Sequence, residues 1–581
     1  MTDLSKDTTT AAARHAAVEA AYGDPWDRAN PTGFAALLEA DDRAQLPRAA
    51  TELYHSLNLN AEYVPAPLGG RLEQIDTLGL MLRPLFRRDA TLAVGEALTS
   101  LMGAMAVWLV GDAEQQRRTA RMLLDGGRAT VAYQEFRHGN DFVADEFRAR
   151  RTADGSLLLG GRKAAVNNAD RAGLMLAYAR TVGPQDPADG YSLLLLEPDA
   201  LPAEACERLP RYRTEGAQGL QISGLRFQDC PAPADVLLGD WGDGIALGLR
   251  ALQVNYAVVP SMILGMADTG LRTAIRFVAG GSAHRGPVKL SGSARGAIAG
   301  ALVDLLACDS IALAATRALH VLPEECSVLA AAAKYLVPKI VGETFYRLSA
   351  LLGDAFHTRS GEHAIFQKHV RDLTMVNFGH VSSAICQSTI APFLPGLLAH
   401  DWPAELAAPA ELFRTDGALP PLSSERLAVF GGRDGLIGWI ARCRQERQPA
   451  PPGDPDAPLL RLLSDQLDLL DAELSEIREG CPALDGPDGR FVTDTSAFPL
   501  TDRYALLLVA CACLGVWRCA DPGSFPARPG WLVAALDRLL RRLGHLGPRV
   551  PGAVEAELAA EALRRARGAV GFDLYALELA G

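Results

Sequence analysis

Apolar and polar positions alternate with two different periods along this chain. Over residues 33–110 the apolar positions fall mostly at helical spacing, as with Phe34, Leu37 and Leu38. The stretch Val64-Pro65-Ala66-Pro67-Leu68-Gly69-Gly70 interrupts that pattern as a turn. A second helical run covers 76–87, where Pro84 predicts a kink or an early end, and residues 89–110 form a third. Asp112 stands where the next helix needs an N-cap. Between residues 129 and 239 the apolar runs shorten. Residues 157–159 and 174–178 read as strands, with Asp154-Gly155 as a turn signal ahead of the first. From 245 to 398 long apolar helices return. The Ala/Leu-rich runs 297–318 and 328–352 fit a four-helix bundle. A Pro-rich, stiff linker at 448–458 then leads into four amphipathic helical patterns at 459–479, 504–517, 531–543 and 553–566.

These shifts divide the chain into an N-terminal helical domain (1–128), a central β-domain (129–240), a helical bundle (241–400), a connecting segment (401–458) and a C-terminal helical extension (459–581). The class is therefore α+β. Gly242-Asp243-Gly244 with Gly248 superficially suggests a dinucleotide fingerprint, but the spacing is wrong and no strand leads tightly into it. A turn that starts a helix is the better reading.

Composition narrows the picture. The chain has 581 residues, 49% hydrophobic and 22% charged, with a formal net charge of -12, which is not the electrostatic footprint of a nucleic-acid binder. Lysine is confined to Lys6, Lys163, Lys289, Lys334, Lys339 and Lys368; arginine carries nearly all the positive charge. The 10 cysteines are scattered, and the tightest group, Cys511, Cys513 and Cys519, lacks zinc-site spacing and reads as buried free thiols. No metal site is expected. Without an apolar leader or an unbroken apolar run of about 18 residues, the expectation is a cytoplasmic protein without a membrane partner.

The polar loop Tyr133-Gln134-Glu135-Phe136-Arg137-His138-Gly139-Asn140-Asp141 resembles the Leu-Thr-Glu-Pro-x-x-Gly-Ser-Asp loop of the acyl-CoA dehydrogenase/oxidase superfamily. Leu159-Gly160-Gly161-Arg162-Lys163-Ala164-Ala165-Val166-Asn167-Asn168-Ala169-Asp170 resembles the strand turn that follows it. The turn at Val64–Gly70, the segment from Leu225 to Gly239 and the Arg371-Asp372 pair also match family segments, so the resemblance covers roughly residues 34–391. It implies a central β-barrel or sheet domain between an N-terminal helical domain and a four-helix bundle, with an extra helical domain beyond. FAD would lie between the β-domain and the bundle, and the substrate would be an acyl thioester on coenzyme A or on an acyl or peptidyl carrier protein. Homodimers or homotetramers are implied as well.

Residue by residue, the resemblance assigns cofactor contacts to Tyr133, Gln134, Gly139, Asn140 and Asn167. The family's phosphate-binding arginine from a neighbouring subunit falls on Gly281, with Arg285 one turn further on. Counting without gaps from Arg371-Asp372, the catalytic Glu falls on His380; a one-gap alternative puts Phe378 there. The family's second base location corresponds to Val254 and Asn255. His380 is the candidate base, with Glu135 as a second acid–base group. Three functions follow. One is flavin-dependent oxidation of the thioester at Cα–Cβ. Another is diverged chemistry on the same fold: hydroxylation with flavin and oxygen, or FAD-independent elimination, addition or cyclisation in specialised biosynthesis. The last is a non-catalytic scaffold.

Overall fold

Caps and turns set the helix ends of the N-terminal region: α1 (Ala11–Tyr22), α2 (Phe34–Asp42), α3 (Arg48–Ser56), α4 (Ile75–Arg88), α5 (Ala90–Val110) and α6 (Ala113–Leu124). The computed structural model describes residues 10–133, 135, 138, 144–181, 190–280, 290–378, 383–429, 431–447, 453–481 and 497–581. Helix α6 starts on a capping box. The Asp112 carboxylate accepts from the N–H groups of Glu114 and Gln115, and the Gln115 side chain accepts from the Asp112 N–H. Helix α4 does not stop at Pro84, which corrects the expected break; it continues to Arg88. Every residue of α4 except Thr77 is buried, and that burial outweighs the roughly 3 kcal/mol that an internal proline costs. Gly79 and Gly265 allow the close crossing of α4 with the first bundle helix: a Cβ at Gly265 would lie 2.5 Å from the Arg83 carbonyl oxygen.

The central region is an eight-stranded sheet: β1 (Ala129–Ala132), β2 (Arg148–Arg151), β3 (Leu157–Asn167), β4 (Leu174–Thr181), β5 (Tyr191–Leu196), β6 (Cys206–Leu209), β7 (Ile222–Ala232) and β8 (Leu237–Leu238). The order is β6-β7-β3-β2-β4-β5-β8, with β1 also paired, in parallel, to β4. Strand alternation builds two cores. Met175, Ala177 and Ala179 of β4 face a small core within the β-domain. Leu174, Leu176 and Tyr178 face the main core shared with the helices. Strand β3 extends well past its apolar start, through two register shifts between Leu159 and Gly161 and between Lys163 and Val166. Gly161 takes φ 114° at the first of them, a conformation suited to glycine.

The bundle comprises α7 (Gly244–Val278), α8 (Gly292–Val321), α9 (Cys326–Leu352), α10 (Ala364–Phe378) and α11 (Ser383–Ile390). The C-terminal helices are α12 (Trp439–Gln445), α13 (Ala457–Gly480), α14 (Phe498–Cys519), α15 (Pro529–Arg542) and α16 (Gly552–Arg567). Helices α14, α15 and α16 pack against α8, and α14 also against α9; Arg538 of α15 binds Asp304 of α8, while the Tyr504 hydroxyl ties α14 to Asp434 in the connecting segment. The tail beyond α16 returns to the start of the chain. The N–H groups of Phe572 and Leu574 donate to Asp268 and Asp309, and Arg87 donates to the Ala580 carbonyl oxygen.

Among the described residues, four helices, Ala90–Val110, Gly244–Val278, Gly292–Val321 and Phe498–Cys519, are long and apolar enough to cross a membrane. A scan for unbroken apolar runs does not reveal them, because single polar residues such as Asp304 and Asp309 interrupt the runs without ending the helices. Between 78% and 89% of each apolar window is buried inside the fold, so these helices supply one another's apolar surroundings.

Candidate functional site

The polar loop after β1 is gathered around one lysine. Lys163 on β3 is fully buried, and its ammonium donates to the Tyr133 carbonyl oxygen (3.2 Å) and to the Asp145 carboxylate. It lies 3.5 Å from Glu135, whose carboxylate oxygens accept from the N–H groups of Glu146 (3.0 Å) and Phe147 (2.8 Å). Glu135, nominated as an acid–base group, is thus engaged in closing the loop on itself. Burial pushes Asp145 up to about 6 even though Lys163 pulls the other way. Ligand atoms of Glu135, His138 and Glu146 come within 4.8 Å of one another, close enough for a metal ion. With Glu135 bonded to two amides and Glu146 exposed, the trio has the form of a loop clasp.

Asn167 is turned toward the N-terminal helices. Helix α5 contains a π-turn at Ala93–Leu98, which displaces backbone carbonyls from their helical partners. The Asn167 amide nitrogen donates to Thr99 Oγ1 (2.9 Å) and, more weakly, to the Val94 carbonyl oxygen (3.4 Å). Asn168, at φ 62°, donates to the Gly95 carbonyl oxygen at 2.7 Å. The donor nitrogen expected to serve a cofactor is therefore committed to the π-turn, while Asn167 Oδ1 is buried without a partner. Within the same turn Glu96 is fully buried. Burial alone would raise its carboxyl, but His55, Arg128 and Arg171 hold it below the usual range.

On the bundle side, Tyr133 stands edge-on to Tyr178, with ring centroids 5.6 Å apart. The Tyr178 hydroxyl donates to the Gly244 carbonyl oxygen at 2.6 Å, at the start of α7. A Cβ at Gly248 would fall 2.7 Å from that hydroxyl oxygen, so this glycine lets α7 approach the sheet. Asn255, two turns on, lies on the same helix face. Tyr256, also on α7, and Cys386 on α11 are both buried. The Tyr133 and Tyr256 hydroxyls and both polar side-chain atoms of Asn255 are buried without a hydrogen-bond partner. Lys334 is buried on α9, which packs against α11.

Of the residues nominated from sequence, Tyr133 is brought to this seam, Asn167 faces the N-terminal helices instead, and Glu135 lies in the loop after β1. His380, Gln134, Gly139, Asn140 and Arg285 lie outside the described residues. Sequence reasoning missed Tyr178, Tyr256 and Lys334. Only Lys334 carried a visible signal, as the lone charge in the apolar run from Val328 to Val337.

No protein-family model matches the chain. A Mycobacterium tuberculosis protein named as a probable acyl-CoA dehydrogenase is 27% identical over 241 residues, covering 41% of this chain and 60% of that protein. The cyclohex-1-ene-1-carbonyl-CoA dehydrogenase of Geobacter metallireducens is 27% identical over 246 residues, covering 41% of this chain and 62% of its own length. The aligned part thus spans about three fifths of these relatives. Among solved structures, an acyl-CoA dehydrogenase from Bacillus anthracis in complex with FAD superposes with a TM-score of 0.67 at 16% identity, covering 91% of this chain and 92% of its own. That superposition takes in the C-terminal helices as well as the sheet and bundle. The chain is similar in sequence to named acyl-CoA dehydrogenases over about two fifths of its length and shares the fold of a solved one nearly end to end, which supports its place as a divergent member of the acyl-CoA dehydrogenase superfamily.

Proposed function

We propose that this protein binds FAD and oxidises an acyl thioester between Cα and Cβ, the acyl group being carried by coenzyme A or by a carrier protein. The observation that carries this reading is the set of unsatisfied buried polar atoms on the seam between sheet and bundle: Tyr133 Oη, Tyr256 Oη and the Asn255 amide. Folded proteins rarely leave such groups unpaired, so their clustering fits a polar ligand. By family correspondence Gln134, Gly139 and Asn140 would join Tyr133 in holding the cofactor. Arg285, from a neighbouring subunit of a homodimer or homotetramer, would serve its phosphates.

When bound, FAD supplies the acceptor for the hydride that leaves Cβ. His380 takes the α-proton; an ordinary imidazole titrates near ~6.5 and is available as a base at neutral pH. The Lys163–Glu135–Asp145 clasp holds the Tyr133 loop in place, and the apolar wall formed by Tyr178 and Val254 keeps water away. A second reading, acid–base chemistry on the same class of thioester without redox change, is favoured by one observation. The Asn167 amide nitrogen, which the family correspondence assigns to the cofactor, is spent on Thr99 Oγ1 and the Val94 carbonyl oxygen.

The visible spectrum of the purified protein separates these readings. Bands near ~450 nm, bleached by anaerobic addition of a saturated acyl thioester, are the expected result. A colourless protein that does not take up added FAD would falsify the redox reading. His380→Ala should abolish turnover, and unchanged turnover would remove His380 from the reaction.

A further inference from the structure

His320, in the last turn of α8, is 2% exposed, and both of its ring nitrogens are spent on partners far away in sequence. Nδ1 lies 2.8 Å from the Pro420 carbonyl oxygen in the connecting segment, and Nε2 lies 3.0 Å from the N–H of Ile75, which opens α4. These partners fix the state of the ring. A carbonyl oxygen can only accept and an N–H can only donate, so Nδ1 carries the proton and Nε2 is bare. Gln74, the N-cap residue of α4, makes no side-chain bond to the helix, and Ile75 is itself buried. A first-turn N–H in that position needs an acceptor from outside the helix, and the imidazole supplies it.

Protonation would break this arrangement. An imidazolium donates from both nitrogens, so its Nε2–H would meet the Ile75 N–H head-on. The surrounding charges give an imidazolium little help. Burial comes first and holds the ring below the ordinary histidine range; Asp76 on α4 favours a cation, Arg317 on α8 opposes it. Those two already bond each other at 2.6 Å. The C-terminal end of α8 favours a cation, while the N-terminal end of α4 opposes one. From the connecting segment the facing group is the Pro420 carbonyl oxygen, and the Asp416 carboxylate pairs with Arg414 at 3.4 Å. Arg317 ties the same segment down further back, through the carbonyl oxygens of Glu411 (2.5 Å) and Asp416 (3.0 Å), and a guanidinium does not lose its charge in a protein.

We propose that His320 is an acid-sensitive latch between the start of α4 and the connecting segment, opened at Ile75 and Pro420 in mild acid while Arg317 keeps the rest of the segment in place. Because the docked ring is harder to protonate than a free one, docking is at full strength above the free value near ~6.5 and weakens as pH falls below it. The latch uses no residue of the seam between sheet and bundle.

Hydrogen exchange on the intact protein, read by mass spectrometry, tests it. Exchange at the ring C2 position follows the titration of His320 itself, with a midpoint expected below ~6.5. Amide exchange at Ile75, resolved within a peptide covering 73–82 and corrected for the intrinsic effect of pH, should be about 10-fold faster at pH ~5 than at pH ~7.5. Peptides covering 328–337 and 408–413 should keep their protection. His320→Gln retains a donor and an acceptor but takes up no proton, so the same correction should leave its Ile75 amide changed by less than about 3-fold. A ring midpoint at or above ~6.5 would overturn the proposal. So would an Ile75 response that is absent in the parent, shared equally by the other two peptides, or undiminished in His320→Gln. Should the glutamine variant fail to fold, the ring midpoint and the confinement of the response in the parent decide the matter.

Discussion

Replacing Lys368 with methionine should weaken the joint between the three regions of this protein. Lys368 lies on α10 with no accessible surface. Its ammonium bonds Asp89 Oδ1 at 2.7 Å and the Asp372 carboxylate, and stands 3.7 Å from Asp41. Each carboxylate has a second duty. Asp89 accepts from the Thr91 N–H and caps α5. Asp372 accepts from the Ala217 N–H, in the loop that leads into β7. Asp41 on α2 binds Arg371 at 2.8 Å. One cation therefore ties the N-terminal helices, the β-domain loop and the bundle together. Burial opposes its charge, but Asp372, Asp89 and Asp41 together hold Lys368 above the ordinary lysine range. Methionine fills similar volume and removes only the charge. Asp41 keeps Arg371, whereas Asp89 and Asp372 are left facing each other without a cation. Breaking one buried pair this way costs about 3–5 kcal/mol, and that is the expected loss.

The assay is urea unfolding followed by tryptophan fluorescence, run at several pH values. In the variant the buried carboxylates can be relieved only by taking up protons, so their folded pKa values lie above the unfolded value. A raised carboxyl pKa lowers stability as pH climbs past the unfolded value near ~3.9. The deficit of the variant should therefore shrink as pH falls from neutrality toward ~4. A loss below about 1 kcal/mol, or one that does not change with pH, would refute the reasoning.

Two further outcomes follow from buried polar groups. Burial pushes Asp434 up to about 6, although Tyr504 donates to it at 2.7 Å. The unfolded chain gives up this proton first, so the native protein loses stability as pH rises from ~4 to ~6, and Asp434→Asn should flatten that part of a melting-temperature profile. An unchanged slope would show that Asp434 ionises as it does in the unfolded chain. Tyr133→Phe removes a buried hydroxyl without a partner, so it should leave the unliganded protein's melting point level or slightly higher. If that hydroxyl meets the cofactor, titration with FAD should show affinity weakened by about 2- to 10-fold; unchanged affinity would place the cofactor elsewhere.

The architecture was legible where structure is set by local periodicity and capping. The helical patterns at 459–479 and 531–543 correspond to Ala457–Gly480 and Pro529–Arg542, and Asp112 caps α6 as its position implied. The turn at Gly242-Asp243-Gly244 starts α7, and Gly242 takes φ 96° there. These features depend on neighbours within a few residues, which a sequence displays. The fates of Pro84, Glu135, Asn167, Lys163 and Lys334 were decided by partners far along the chain. Pro84 stays inside α4 because α7 and α8 cover that helix. Asn167 serves the Val94 carbonyl oxygen and the Thr99 hydroxyl, at a π-turn some seventy residues earlier. Lys163 and Lys334 both stand among apolar residues in sequence, Lys163 beside Arg162 and Lys334 alone. Only the packing of separate elements brings Asp145 and Glu135 to one and no carboxylate among the described residues to the other. Periodicity determines which face of an element is buried; whether a buried charge finds its complement depends on which other face arrives against it.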